Sequence, residues 1–429
     1  MKFFLQGVRA SRASVFRIAC VRTAFAGAVA GMLLSAVSCS RAIDRQKESD
    51  EVWIQKNHAV HKAISLDPFW DSINAVRKQY KNKIPPYELY EETQVVGIAE
   101  SMLALQNPDG GWAKNTDWAR VYSRKELSEL HEQTLSVAPL TWQHKENNLQ
   151  STLDNGTIYT HVTYLCKAYE QLRDRRYLES AKKALQWILN AQHPVSGGWT
   201  GSDVYAITYN DEAMGGVLEL LRAISREEDA CYRPLAKELK QQAQQAYDRG
   251  IKCVLDTQIV VTKGDGTKVV TAWSQQHDHE TLKPIWAREF EPPSVCSYES
   301  INLVKMLMQD KNPSPELVAC IESACAWLMS DDIVIHGKKL VEVPAEPEVS
   351  KYGRYSDYET LLVDDKDAPP LLARMYDLEN LQPVYCDRGR VIVKSFNDLG
   401  RERRNGYSYL GEWTTLLDKP YAEWKKSMQ

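Results

Sequence analysis

Asp, Asn and Arg side chains gather in a few short segments beside predicted turns. Carboxylates can bind hard cations, and guanidinium groups can bind acidic ligands through paired hydrogen bonds. These segments therefore hold the residue types that could form a functional site. They are residues 110–115, 152–157, 207–214 and 286–294, followed by a longer stretch from 373 to 408.

The same residues also have structural explanations. Asp154 and Asp211 stand at predicted helix starts, where Asp is a preferred N-cap. Lys114 and Asn115 follow a glycine turn and could simply stabilise it. Ion pairs are the alternative for the arginines, with Glu289 or Glu291 as partner of Arg288, and Asp377 or Asp387 as partner of Arg374 and Arg388.

Helices must position these segments, because helical periodicity is the strongest pattern in the chain. Apolar residues at three- and four-residue spacing predict helices over 94–105, 160–172, 177–189, 213–224, 235–254, 298–308 and 315–329. Strand signals are short. Residues 258–261 and 268–271 flank Gly264-Asp265-Gly266 and predict a hairpin, and a weaker pattern predicts a second hairpin over 333–343 around Gly337.

A weak internal repeat indicates how the helices are arranged. Gln106 and Gln192 each follow a helix, and each precedes a proline turn and then Gly-Gly-Trp, ending at Trp112 and Trp199. Glycines end a helix and allow a sharp turn, and the tryptophan is expected to pack at the helix end. Repeated helical hairpins must pack on one another to bury their faces. We therefore predict an all-α fold, an (α/α) toroid or barrel of helical hairpins with a few short β-hairpins.

In this order, the segments resemble the family-ten pectate lyases (polysaccharide lyase family ten). The resemblance runs from about Val95 to Leu417, and further matching blocks are Trp273–Asp278 and Asp367–Pro370. Beside the family pattern the charged stretch 338–366 is long, and it is expected to form a loop at the cleft. It implies an (α/α) toroid that cleaves polygalacturonate, the pectin backbone, by calcium-assisted β-elimination to unsaturated products. The reaction removes a proton next to a uronate carboxylate, and a bound metal stabilises the charge that develops there.

The resemblance also assigns roles to single residues. It implies that Asp154 and Asp211 bind Ca²⁺ and that Arg288 is the catalytic base, although a guanidinium group is a chemically awkward base. The positions matching substrate-binding residues are Lys114, Asn115, Asn155, Arg374 and Arg388. Two alternatives stay open: a glycoside hydrolase on the same toroid that uses Asp154 and Asp211 as its carboxylate pair, and a non-catalytic surface lipoprotein that binds acidic glycans.

The N-terminus reads as an export signal. Basic residues precede an uncharged run from Thr23 to Ser38, and the run ends at Cys39 in a pattern similar to a lipoprotein processing site. We expect a leader over 1–39, an N-terminal extension over 40–90 and a lyase domain over 91–429. The protein is expected to be exported to the periplasm, the cell surface or the medium, as a monomer, with a lipid on Cys39 as its membrane contact.

The amino-acid composition limits the classes of protein to which the chain could belong. The formal net charge of −4 excludes a broadly basic nucleic-acid binder, although it does not exclude a local basic cleft. Twelve Trp and 21 Tyr stand against seven Phe, so most aromatic rings carry a polar edge that suits sugar sites or core margins. The nine cysteines show no metal-binding spacing and no disulfide framework.

Overall fold

The computed structural model describes residues 49–138, 149–201, 204–351 and 355–428. The predicted leader and its Cys39 lie outside the described residues. The chain divides into two compact units, residues 1–55 and residues 56–429. Of the first unit, the described residues are 49–55, which begin helix α1 (Asp50–Asn57), and the second unit contains the remaining elements.

The helices agree closely with the periodic patterns. All seven predicted helices are present, with ends shifted by up to three residues. The described helices after α1 are α2 (Trp70–Arg77), α3 (Val95–Leu105), α4 (Arg124–Leu135), α5 (Tyr159–Leu172), α6 (Arg175–Ala191), α7 (Ala213–Ser225), α8 (Lys237–Thr257), α9 (Ser297–Leu307), α10 (Pro315–Leu328), α11 (Arg401–Gly406) and α12 (Asp418–Ser427).

Seven of these helices form two layers. Helices α5, α7 and α9 pack side by side, and α3, α6, α8 and α10 pack side by side against them. Most residues of α7 are buried, whereas α6 buries one face only, which is the difference expected between an inner and an outer layer. We propose that the two layers are part of an (α/α) toroid, since successive helical hairpins would build such a ring.

The Gln and Trp of the repeat connect the outer helices. Gln106 donates hydrogen bonds to the carbonyl oxygens of Gly110 (2.8 Å) and Ser180 (3.0 Å), and Gln192 donates to Gly197 (2.8 Å) and Ala246 (2.8 Å). Trp112 and Trp199 are fully buried, and each donates to a carbonyl in the last turn of the preceding outer helix, Met102 or Ile188. The prediction that they pack at helix ends is confirmed.

A third copy of this arrangement was not apparent in the sequence. Gln258 follows α8 and donates to the carbonyl oxygen of Cys320 in α10, and Trp273 donates to that of Val254 in α8. The β-hairpin between Gln258 and Trp273 replaces the proline turn and the two glycines, so the copy has no Gly-Gly-Trp signature.

The hairpin predicted around Gly264-Asp265-Gly266 is present as β2 (Val260–Thr262) and β3 (Lys268–Val270). The other described strands are β1 (Ile207–Thr208), β4 (Gln276–His277), β5 (Val295–Cys296), β6 (Val334–Ile335), β7 (Lys338–Val349), β8 (Tyr355–Asp364), β9 (Leu371–Ala373), β10 (Met375–Tyr376), β11 (Tyr385–Asp387), β12 (Val391–Val393) and β13 (Leu410–Gly411).

One hairpin prediction and one loop prediction were wrong. No hairpin is centred on Gly337, because β6 pairs with β9, whereas β7 pairs with β8 in a long antiparallel hairpin. The charged stretch 338–366 is therefore mostly strand and not a cleft loop. Alternating exposure along β7 explains the misreading, since charged residues fill the solvent side of a two-stranded ribbon and hide its strand pattern.

The seven cysteines among the described residues, Cys166 included, are all buried and form no disulfide. Burial raises the pKa of the Cys166 thiol to about 12, so this side chain acts as a small apolar residue.

Within residues 49–138, 149–201, 204–351 and 355–428, no helix has both the length and the apolar character needed to cross a membrane.

Candidate active site

Two short turns bring the predicted carboxylates together. Asp154 begins the 3₁₀ turn Asp154–Gly156 before α5, and Asp211 lies in the 3₁₀ turn Asn210–Glu212 before α7. Neither side chain caps its turn or helix, so the structural alternative of N-capping does not hold. Asn155 and Asp211 both have left-handed backbone conformations, with φ of 53° and 50°. This conformation interrupts the helical path just where these side chains leave the main chain.

The carboxyl groups of Asp154 and Asp211 share a hydrogen bond. The pKa of Asp211 is raised well above its ordinary value, first by burial and then by the charge of Asp154. Arg288 and Arg374 act in the opposite direction, because their positive charges favour the ionised carboxylate. Lys114 donates a hydrogen bond to Asp154. The two acidic groups are therefore largely buried and lie close to the cations Lys114, Arg288 and Arg374.

This arrangement fits a calcium ion in its donor chemistry. When both are ionised, the two largely buried carboxyl groups repel each other, and a cation between them would remove the repulsion. Oxygen is the ligand that Ca²⁺ prefers. Across the described ranges no cluster of three His, Cys, Asp or Glu side chains has the spacing of a metal site. Asp154 and Asp211 would thus need further oxygens, from amide groups or from an acidic ligand.

The amide side chains beside this pair are tied to one another. Asn155 Nδ2 donates to Asn115 Oδ1 at 2.7 Å, and the Asn115 backbone NH donates to Ser72 Oγ at 3.0 Å. Ser72 belongs to α2, which packs on the turn that carries Asp154. Lys114, Asn115 and Asn155 are therefore placed together with Asp154, as their assignment to one site requires.

Arg288 is held by a buried carboxylate. Its Nε donates to Glu291 Oε2 at 2.8 Å, its second terminal nitrogen donates to Oε1, and its backbone NH donates to Oε2 at 3.0 Å. Glu291 is 2% exposed, so this ion pair is well shielded on one side. Burial lowers the pKa of Arg288, but Glu291, Tyr407 and Asp211 raise it by more, and the net change is a rise. In this structure Arg288 is a cation.

Arg374 is almost fully buried and makes a different ion pair from those expected. Its guanidinium donates twice to Glu299, and it reaches Asn210 Oδ1 at 3.3 Å. Asn210 in turn donates to Asp211 Oδ2 at 2.8 Å, so Arg374 is linked to the carboxylate pair. Asp377 and Asp387 were the wrong partners, because sequence proximity does not reveal that α9 brings Glu299 to this arginine.

Arg388 lies further out. It donates to Glu289 Oε1 at 3.1 Å and to both oxygens of Glu402, at 3.1 and 3.3 Å. Its guanidinium also lies 5.1 Å from the ring centroid of Phe290, a ring that Arg288 approaches to 5.0 Å. Arg288 and Arg388 thus contact the same aromatic ring.

A buried network connects the two inner arginines, and the sequence reading missed its members. Gln275 donates to Glu299 at 2.8 Å and to Tyr407 Oη at 2.7 Å, and Tyr407 donates to Glu291 at 3.0 Å. Arg374 binds one end of this chain and Arg288 the other. Tyr407 and Glu291 lay inside segments already singled out, so their motif was a usable signal, whereas Glu299 lay in an ordinary helical pattern.

Residues before the predicted lyase domain also approach the site. Asp71 is the second residue of α2, and its pKa is raised by burial and by the charge of Asp154. Together with Ser72 it brings α2, which lies in the stretch expected to be an N-terminal extension, to the edge of the site. No local motif indicates this, since the proximity arises from the packing of α2.

Comparisons with solved structures identify the fold. Two solved structures share the fold over most of the chain, both family 10 polysaccharide lyases from Cellvibrio cellulosa, one of them a mutant in complex with trigalacturonic acid. Each is 20% identical, with TM-scores of 0.57 and 0.58, and the matches cover 84% and 85% of this chain and 99% of theirs. No curated protein sequence matches the chain.

The family itself follows from the sequence match. The family model for pectic acid lyases matches residues 106–417. The chain therefore belongs to the pectic acid lyase family and is a polysaccharide lyase that acts on pectic acid. The predicted family, enzyme class and pectate lyase function are confirmed.

Proposed function

We propose that the enzyme cleaves polygalacturonate by calcium-assisted β-elimination. The observation that carries this proposal is the hydrogen-bonded pair of largely buried carboxyl groups, Asp154 and Asp211, opposite the cations Arg288 and Arg374. When bound, calcium would neutralise the substrate carboxylate and stabilise the charge that develops on the neighbouring carbon. The complex of a related lyase with trigalacturonic acid supports an oligogalacturonide as the ligand of this site.

In this proposal separate residues bind the metal and the substrate. Asp154 and Asp211 hold the metal, with Asn155 beside them. Arg374 is fixed in place by Glu299, so its charge is available without reorganisation to orient a substrate carboxylate. Arg388, Lys114 and Asn115 hold neighbouring units of the chain.

Arg288 is the proposed base, and it must lose a proton before it can accept one from the substrate. Glu291 opposes this loss, because its negative charge favours the protonated guanidinium. Catalysis therefore demands either alkaline conditions or a looser contact with Glu291 in the substrate complex. We expect activity to increase with pH through the alkaline range.

One assay decides between the proposed function and its rivals. The mature protein is incubated with polygalacturonate and calcium, and the ultraviolet absorbance of unsaturated uronates is followed before and after a chelator is added. Absorbance that the chelator stops supports the proposal. New reducing ends without this absorbance would support a glycoside hydrolase instead, and binding without either product would support a glycan-binding protein.

Arg288→Ala tests the base assignment. The variant should lose turnover by several orders of magnitude while its affinity for polygalacturonate largely persists, since Arg374 and Arg388 remain. Arg288→Lys is the matched control, because lysine keeps a cation but loses its proton at lower pH. Full activity in Arg288→Ala would refute the assignment.

We also propose that the chain is exported and tethered through Cys39, as its N-terminal pattern indicates. Cys39→Ala should abolish incorporation of a labelled fatty acid and release the enzyme from membranes. A variant that stays membrane-bound would contradict the lipid anchor.

A further inference from the structure

A stacked pair of side chains lies next to the arginines of the site and has no role in the mechanism above. Arg390 stacks on Trp286, with its guanidinium carbon 5.0 Å from the ring centroid. Trp286 is two residues before Arg288, and Arg390 is two residues after Arg388. Trp286 is half-buried and Arg390 is exposed, so solvent reaches the cation and part of the tryptophan.

Glu289 joins the two segments that carry this pair. Its carbonyl oxygen accepts a hydrogen bond from the Arg390 backbone NH at 2.8 Å, and its carboxylate accepts from the Gly389 NH at 3.1 Å. The same carboxylate accepts from Arg388 at 3.1 Å. Trp286 and Arg390 thus belong to two adjacent segments, those of the proposed base and of a proposed substrate arginine.

Apart from its contact with the Trp286 ring, the charge of Arg390 has no counter-charge among the described residues. Within the described residues it forms no ion pair, in contrast to Arg288, Arg374 and Arg388. Its backbone is left-handed, with φ of 62°, in the turn between β11 and β12. Glycine or asparagine would adopt this conformation more easily, so the turn itself is not the reason for an arginine here.

A uronic acid unit would match both members of the pair. The ring CH groups of a sugar pack well on an aromatic face, and an arginine binds a carboxylate through two parallel hydrogen bonds. A neutral sugar would use only the tryptophan. We propose that Trp286 and Arg390 form an additional galacturonate subsite, which binds a unit of the pectic chain beyond those held at Arg288 and Arg388.

This inference rests on the proposed function, and its test separates the two. Arg390→Ala and Trp286→Ala should each raise KM for polygalacturonate by about 5- to 20-fold and leave kcat within about twofold, because neither residue touches the reacting atoms. Arg390→Lys should recover much of the loss. The double variant should be little worse than either single one, since the two side chains act on the same sugar unit.

Arg173→Ala is the matched control. Arg173 is also exposed, has φ of 55° and stacks on an aromatic ring, that of Tyr169, at 5.8 Å. It follows the C-terminal end of α5, whereas Asp154 precedes the N-terminal end, about 20 Å away for a helix of this length. This variant should behave as wild type in every assay.

Binding is read separately by electrophoresis through gels that contain polygalacturonate or neutral galactan. Arg390→Ala should be retarded less than wild type in polygalacturonate and equally in galactan. Equal retardation of the two proteins in polygalacturonate, or no retardation of wild type, would overturn the subsite. Absence of unsaturated product from wild type would overturn the proposed function, while the gels would still decide the subsite.

Discussion

Replacement of Asp211 by asparagine removes one of two carboxyl groups that share a hydrogen bond, and it keeps the side-chain shape. In chelator the variant should be more stable than wild type. Two unit charges about 4 Å apart repel by about 4 kcal/mol at an effective dielectric constant near 20. Protonation of Asp211 relieves part of this, and Arg288 and Arg374 offset another part. We therefore expect a gain of about 1–2 kcal/mol, or about 1–3 °C in Tm for a unit of this length.

Calcium should make wild type the more stable of the two proteins. A ligand at a hundred times its Kd stabilises the folded state by about 2.7 kcal/mol, which is about 3–4 °C in a unit of this length. Wild type should gain this increment, and Asp211→Asn should gain little or none. The assay is thermal unfolding in chelator and across a calcium titration. It needs no substrate, so the metal site is tested without relying on turnover.

Asp117→Asn is the control for this measurement. Asp117 is buried as well, but Arg77 binds it with two hydrogen bonds of 2.7 and 3.0 Å, and Tyr87 with one of 2.9 Å. Its replacement should lower Tm with and without calcium and leave the calcium increment intact. The reasoning is refuted if Asp211→Asn is less stable than wild type in chelator, or if calcium stabilises both proteins equally.

Three further predictions concern other parts of the molecule. Glu291→Gln should lower the pKa of Arg288 and move the rising alkaline limb of the activity profile down by about one pH unit or more, and an unmoved limb would contradict the role of Glu291. Burial lowers the pKa of His277 to about 4, and its Nε2 accepts a hydrogen bond from the Ser274 NH at 3.0 Å. Because the unfolded chain binds the proton more tightly, the free energy of unfolding should fall by about 3 kcal/mol as the pH drops from 6.5 towards 4. Urea unfolding at several pH values should show a smaller pH dependence in His277→Asn. Gly110→Ala should destabilise the protein by about 1–3 kcal/mol, because the φ of Gly110 is 103° and a Cβ would lie 2.7 Å from the Lys183 carbonyl oxygen. A Cβ at Gly215 in α7 would meet no atom within 4 Å, so Gly215→Ala should stabilise the protein by about 0.5–1 kcal/mol. Equal Tm values for the two variants would contradict this prediction.

Local patterns accounted for the helices and for the segments that carry the site. The periodic runs located α5 and α7 to within a residue, because an amphipathic helix depends on spacing that is visible in the chain itself. The Gly-Gly-Trp motifs located two helix ends for the same reason. The polar segments contained the carboxylates, the arginines and two members of the connecting network, Tyr407 and Glu291.

What the patterns could not supply is the set of partners. Arg374 pairs with Glu299 and not with a neighbouring aspartate, and Ser72 reaches Asn115 from a segment assigned to an extension. The strand partner of β7 was also misjudged. These contacts join residues far apart in sequence, and only the packing of helices and strands brings them together.

The chemistry of the site shows the same division. The sequence alone determined that two aspartates and three arginines lie beside turns and that the chain resembles pectate lyases. Only the tertiary structure decided that Asp154 and Asp211 share a hydrogen bond, that Glu291 holds Arg288 as a cation, and that the Arg390 charge is unpaired within the described residues. The reason is physical: residue type is a property of the chain, whereas a pKa or an ion pair depends on burial and on charges from distant segments.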